Sequence, residues 1–194
     1  VSFSSSLVPR PSSLDMISSL VARSLVRFEP AAAPLGVDVD TYDAIRPVPR
    51  PSLGAGESSA LVIAVCDHGA RARAATMLRA VALLAPNHPD LRLALVGPGS
   101  DDEDLRMHAA ALGLTRIVTF AGEREDYLAV LRAANLGWVV SSGDAAAFAC
   151  LDFMAMKVPV LAERGPLAGT YVADGITGLL LPSNDAPGTA APTA

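Results

Sequence analysis

The stretch LVIAVCDHGARARAATMLRAVALLAPNHPDLRLALVG, residues 61–97, decides the architecture. It opens on a short apolar run, LVIAVC (61–66), of the kind buried on both faces in a parallel sheet. An alanine- and leucine-rich run of helical length follows, RARAATMLRAVALLA (71–85), and then a second apolar run, LRLALVG (91–97). Strand, helix and strand in about 35 residues make a βαβ unit, whose crossover leaves the two strands parallel. The rhythm continues outward with DDEDLRMHAAALG (101–113), RIVTFAG (116–122), EDYLAVLRAAN (125–135) and LGWVVSS (136–142). It closes with AAFACLDFMAM (146–156), VPVLAE (158–163), PLAGTYVAD (166–174) and TGLLLP (177–182). The expected fold class is α/β: a Rossmann-like, doubly wound parallel sheet of about six strands with helices on both faces. Such sheets bind ligands beyond the carboxyl ends of their strands, which places functional residues just after Cys66, Val96, Phe120, Val140 and Leu161.

The flanks read differently. Within residues 1–32, Leu14, Ile17, Leu20, Val21, Leu25 and Phe28 recur at helical spacing, with Arg23 and Arg27 off that face, an amphipathic helix over 14–28. It packs on the main domain or serves a membrane surface or partner. Residues 33–60 are rich in Pro, Gly and Ser and read as a linker too irregular for a core element. Residues 61–182 are the sheet domain, and 183–194, SNDAPGTAAPTA, a small-residue flexible tail.

Composition narrows the function classes. Half the chain is apolar (51%) and 18% is charged, so a packed core is expected. A net charge of −5 speaks against a general nucleic-acid binder. No apolar run reaches the length of a membrane span, and the start lacks the form of a secretory leader, so the expected location is the cytoplasm. Cys66 and Cys150 sit in apolar surroundings and read as buried free thiols, and His68, His88 and His108 lack zinc-ligand spacing. No metal is expected.

Two constellations carry possible chemistry. Gly97-Pro98-Gly99 closes a strand before an acidic helix start, where glycines let backbone amides approach a phosphate. The third glycine of a dinucleotide fingerprint is replaced by Asp102, and the acids of Ser100–Asp104 would repel a pyrophosphate. The other reading is a turn with Ser100 or Asp101 as N-cap. In SSGDAAAFACLDFMAMKVPVLA, Asp144 precedes a helix and Asp152, eight residues on, interrupts its apolar run, which costs desolvation unless a partner or ligand is near.

Here the sequence resembles the family-4 (group 1) glycosyltransferases, C-terminal donor-binding half. Those enzymes carry E-x7-E followed by A-M-A-x-G-x-P-V-V-A; this chain has D-x7-D followed by F-M-A-M-K-V-P-V-L-A. APLGVD (33–38), HPDLRLALVGPG (88–99), VTFAG (118–122) and DGITGLLLP (174–182) resemble further family motifs in the same order. The resemblance implies one half of a GT-B fold. It places Asp144 on donor-sugar hydroxyls, Asp152 on the nucleotide ribose and Gly122 beside the base. An ionised carboxylate only accepts hydrogen bonds, which suits a vicinal diol.

The chain departs from the pattern at the diphosphate grip. Where the family has an Arg and, five residues on, a Lys, this chain has Asp67 and Ala72. Arg71 and Arg73 flank the latter position as candidate substitutes, though a helix points them about 100° to either side. Solvated surface arginines are the alternative. Ala145, Ala146 and Ala147 replace a G-F-G, Lys157 a glycine and Phe153 a small residue. The implied function is the nucleotide-sugar-binding half of a retaining glycosyltransferase, with a nucleotide-diphosphate sugar as donor substrate, no resident cofactor and no catalytic residue assigned. Its partner would be a missing N-terminal acceptor domain or a partner chain. The alternative is a non-catalytic scaffold or interaction subunit that has lost the phosphate-gripping residues.

Overall fold

The computed structural model of the protein describes residues 37–165 and 168–182; the 14–28 segment and the tail lie outside them. Six parallel strands, β1 (Ala60–Val65), β2 (Leu91–Val96), β3 (Val118–Gly122), β4 (Leu136–Val139), β5 (Val160–Glu163) and β6 (Gly178–Leu181), form one sheet in the order β3-β2-β1-β4-β5-β6. This is the doubly wound α/β architecture that the alternating runs imply.

Strand side chains alternate between faces, so β1 feeds two cores. Leu61, Ile63 and Val65 join a cluster with helices α4 (Tyr127–Arg132), α5 (Gly143–Ala155) and α6 (Ala168–Tyr171). Val62 and Ala64 face the opposite cluster, built with α2 (Arg71–Leu84) and α3 (Glu103–Ala111). All six residues of β1 are buried, as a central strand covered on both sides requires. Phe153 of α5 is wholly buried and lies on Gly137 of β4, where a Cβ would meet its ring at 2.5 Å. The bulky residue in the helix is thus matched by an absent side chain in the strand.

Two expectations are corrected. Residues 33–60 are more than a connection: α1 (Val39–Asp43) and a 3-10 turn at Arg50–Leu53 form there, and Leu53 is fully buried in the α4/α5 core. Arg50 holds this segment down by donating to the Ser59 carbonyl (3.1 Å) and to Asn135 Oδ1 (3.0 Å). The N-cap of α3 is Asp102, and neither Ser100 nor Asp101 takes that position. The turn through Gly97–Ser100, closed by the Ser100 amide on the Gly97 carbonyl, delays the helix, and Asp102 Oδ1 accepts from the amides of Asp104 and Leu105. No helix among the described residues is long and apolar enough to cross a membrane.

Candidate functional site

Strand order reverses between β1 and β4, so the chain leaves their carboxyl ends in opposite directions and a crevice opens there. Beyond β1 comes Asp67; beyond β4 come Val140, Ser141 and Ser142, leading into α5. The Ser142 amide donates to Asp67 Oδ2 at 2.9 Å, and the Ser141 hydroxyl to the Val65 carbonyl at 3.0 Å. Arg73, one turn into α2, donates from Nε to the Val140 carbonyl at 2.7 Å. Its guanidinium lies 4.0 Å from Asp67 Oδ1, an ion pair too long for a hydrogen bond, and both facing atoms are buried without a hydrogen bond among the described residues. Arg73 is therefore a crevice residue, half-buried rather than solvated.

The glycine room at Gly97 and Gly99 is filled by the chain itself. A Cβ on Gly97 (φ 105°) would collide with the Cys66 carbonyl oxygen, and one on Gly99 (φ 83°) would stand 3.0 Å from His68 Cα. These glycines let the β2 turn pack on the loop carrying Asp67. Gly122, also at positive φ, ends β3 beside Asp101, and its carbonyl accepts from the Gly97 amide at 2.9 Å.

Arg71 turns away from the crevice floor to α3, where it pairs with Asp102 and, at 2.6 Å, with Asp104. Its guanidinium holds the Asp102 carboxyl below the usual range. Arg106 pairs with Asp101.

On α5, Asp144 is exposed in the first turn, without a hydrogen bond among the described residues. Asp152 stands eight residues on, roughly 12 Å along the axis and about 80° around it. It is half-buried, and its Oδ1 accepts from the Tyr42 hydroxyl of α1 at 2.5 Å. Burial raises the Asp152 carboxyl, and the phenol's donated bond opposes that rise. Burial and the neighbouring carboxylate push Tyr42 up to about 12, so its hydroxyl keeps its proton. Tyr127, at the start of α4, is raised by burial and then by Asp152 and Tyr42. Asp152 Oδ2 has no hydrogen bond among the described residues and is left as a free acceptor.

Reasoning from sequence misses Tyr42, Tyr127 and Ser142. Only the conflict of a carboxylate in an apolar helix signals that Asp152 needs a partner; nothing in the spacing names one 110 residues away. Cys66 and Cys150 are buried free thiols pushed up to about 12, by burial in both cases and also by Asp67 at Cys66. They are unsuited to nucleophilic chemistry at neutral pH. A groove of about 150 Å³ lies between Arg73, Met77, Trp138, Val140, Glu163 and Leu181. That is below the roughly 300 Å³ at which ligand pockets begin, so this groove alone does not enclose a ligand of ordinary size.

The sequence profile of the glycosyl transferases group 1 matches residues 60–193. A D-inositol 3-phosphate glycosyltransferase of Corynebacterium jeikeium is 35% identical over 118 residues, covering 56% of this chain and 28% of that protein. Its counterpart in Mycobacterium sp. (strain KMS) is 31% identical over 158 residues, 77% of this chain and 35% of that one. The chain thus spans about a third of the length of these relatives. Among solved structures, HepE of Anabaena in complex with UDP superposes with TM-score 0.62 at 23% identity, covering 77% of this chain and 42% of HepE. The C-terminal domain of a group 1 glycosyl transferase from Francisella tularensis (LpcC) superposes with TM-score 0.57 at 16% identity, over 77% of this chain and 81% of that domain. The fold is therefore that of the C-terminal domain of such a protein. With its profile match covering more than half its length, this chain belongs to the glycosyl transferases group 1.

Proposed function

We propose that the chain is the donor-side half of a group 1 glycosyltransferase and holds hydroxyl groups of a nucleotide sugar through Asp152 and Asp144. The observation that carries this reading is Asp152. A half-buried carboxylate, with one oxygen steadied by Tyr42 and the other without a hydrogen bond among the described residues, is an acceptor suited to a diol. Asp144, two turns back toward the crevice, is spaced to meet hydroxyls on a second sugar. On this reading transfer activity belongs to an assembly of this half with an opposing acceptor domain.

Asp67 and Ala72 at the diphosphate grip support a second reading, a non-catalytic member kept for interaction. Calorimetric titration with UDP, GDP and ADP, their sugar conjugates and the parent nucleosides separates the two. The donor reading expects saturable heat within one base series, abolished by Asp152→Ala. Absence of heat from every compound at millimolar concentration overturns it and leaves the scaffold.

A further inference from the structure

Around the carboxyl ends of β1, β2 and β4 the chain meets its own cations with its own anions. Arg71 is held by Asp102 and Asp104, and Arg106 by Asp101. Arg73 is spent on the Val140 carbonyl and faces Asp67. At the entry to α5, a helix of 13 residues, the Ser142 amide is already taken by Asp67 Oδ2. The first amides of a helix are where a phosphate oxygen would otherwise bind, and a carboxylate seated there supplies both the acceptor and the negative charge.

The backbone that carries Asp67 is held in place. The Cys66 amide is in the sheet, donating to the Val96 carbonyl at 2.9 Å, and the Ala70 amide closes a turn on the Asp67 carbonyl at 3.0 Å. Gly97 and Gly99 press on the backbone of Cys66–His68. The second oxygen, Oδ1, faces the Arg73 guanidinium in a long ion pair at 4.0 Å and has no hydrogen bond among the described residues.

We propose that Asp67 is a specificity-determining residue of this crevice: seated on the α5 entry and facing Arg73, it weakens the hold on a diphosphate, so that binding rests mainly on the hydroxyl-bearing parts of the ligand. This rests on reading the crevice as the donor site. Removing the charge takes a competing anion away from Arg73 and from the α5 entry, so that pyrophosphate approaches both without repulsion.

The test titrates inorganic pyrophosphate into the full chain and into Asp67→Asn, Asp67→Ser and Asp90→Asn, with melting curves to show that each is folded. The asparagine and serine variants are expected to bind pyrophosphate about tenfold or more tightly than the parent, with steep salt dependence. Asp90→Asn, at the amino end of β2, leaves affinity unchanged. Equal affinity in parent and Asp67 variants, or no binding in any of them, overturns the proposal. Uridine is titrated in parallel. Its failure to bind while the Asp67 variants gain pyrophosphate affinity would count against the nucleotide reading and not against the role of Asp67.

Discussion

In the proposed donor site, Asp152 joins stability to ligand recognition in one side chain. Its carboxyl is raised by burial, so the folded chain holds that proton more tightly than the unfolded chain does. Its contribution to stability therefore falls as pH climbs from about 3.9, the unfolded carboxylate value, through the raised folded value, and it stays low at neutral pH. Asp152→Asn removes that dependence and still offers Tyr42 an acceptor. Denaturant unfolding is expected to find this variant at least as stable as the parent at pH 7, with the difference shrinking near pH 4. Tyr42→Phe acts oppositely: it leaves a half-buried carboxylate without its donor and lowers stability at pH 7 by about 1–2 kcal/mol. If both variants unfold with the parent at both pH values, the Tyr42–Asp152 bond carries no energy. Selection for stability alone would not place an acid here; a role in holding hydroxyls gives it a reason.

At the scale of elements, the end of α5 shows how this chain tolerates a lysine in a left-handed backbone position. Lys157 stands at φ 61°, the left-handed conformation that glycine adopts without penalty. Its amide donates to the Met154 carbonyl and the Val158 amide to that of Phe153, the paired bonds of a Schellman turn. The lysine recovers part of the cost through an exposed ion pair with Asp43 of α1 at 3.2 Å. Exposed pairs contribute about 0–1 kcal/mol and the left-handed cost is about 1–2, so Lys157→Gly is expected to raise stability by about 1 kcal/mol. A thermal melt that shows a loss instead would mean that the ion pair, through its grip on α1, outweighs the backbone strain.

The same scale separates what is legible in the sequence from what is not. Strands announce themselves by local composition: LVIAVC and LRLALVG fall within one residue of β1 and β2. Ends are misplaced where long-range bonds decide them. The run LGWVVSS continues past β4 in sequence, yet β4 ends at Val139 because Val140 and Ser141 turn to the Val65 carbonyl and Ser142 to Asp67. The first two residues of RIVTFAG fall outside β3 because the Ile117 amide closes a turn on Leu114. Asp144 and Asp152 are visible because both lie on one helix, where spacing has a fixed meaning. The pairs Tyr42–Asp152 and Asp67–Ser142 join residues 110 and 75 positions apart, and periodicity within a window holds no trace of them.

Across the whole molecule, one sheet domain presents a crevice whose two sides differ in character. Toward α5 lie carboxylates and phenols suited to hydroxyl groups; toward α2 and α3 lie Arg71 and Arg106, paired with aspartates, and Arg73, bonded to the Val140 carbonyl. A nucleoside should therefore be held on the α5 side. Amide chemical-shift mapping of the full chain during a nucleoside titration tests this most directly. Saturable shifts clustered at Tyr42, Tyr127, Ser142, Asp144 and Asp152, absent in Asp152→Ala, are the expected result. Shifts confined to the groove lined by Trp138 and Leu181, or no shifts at millimolar nucleoside, would contradict it.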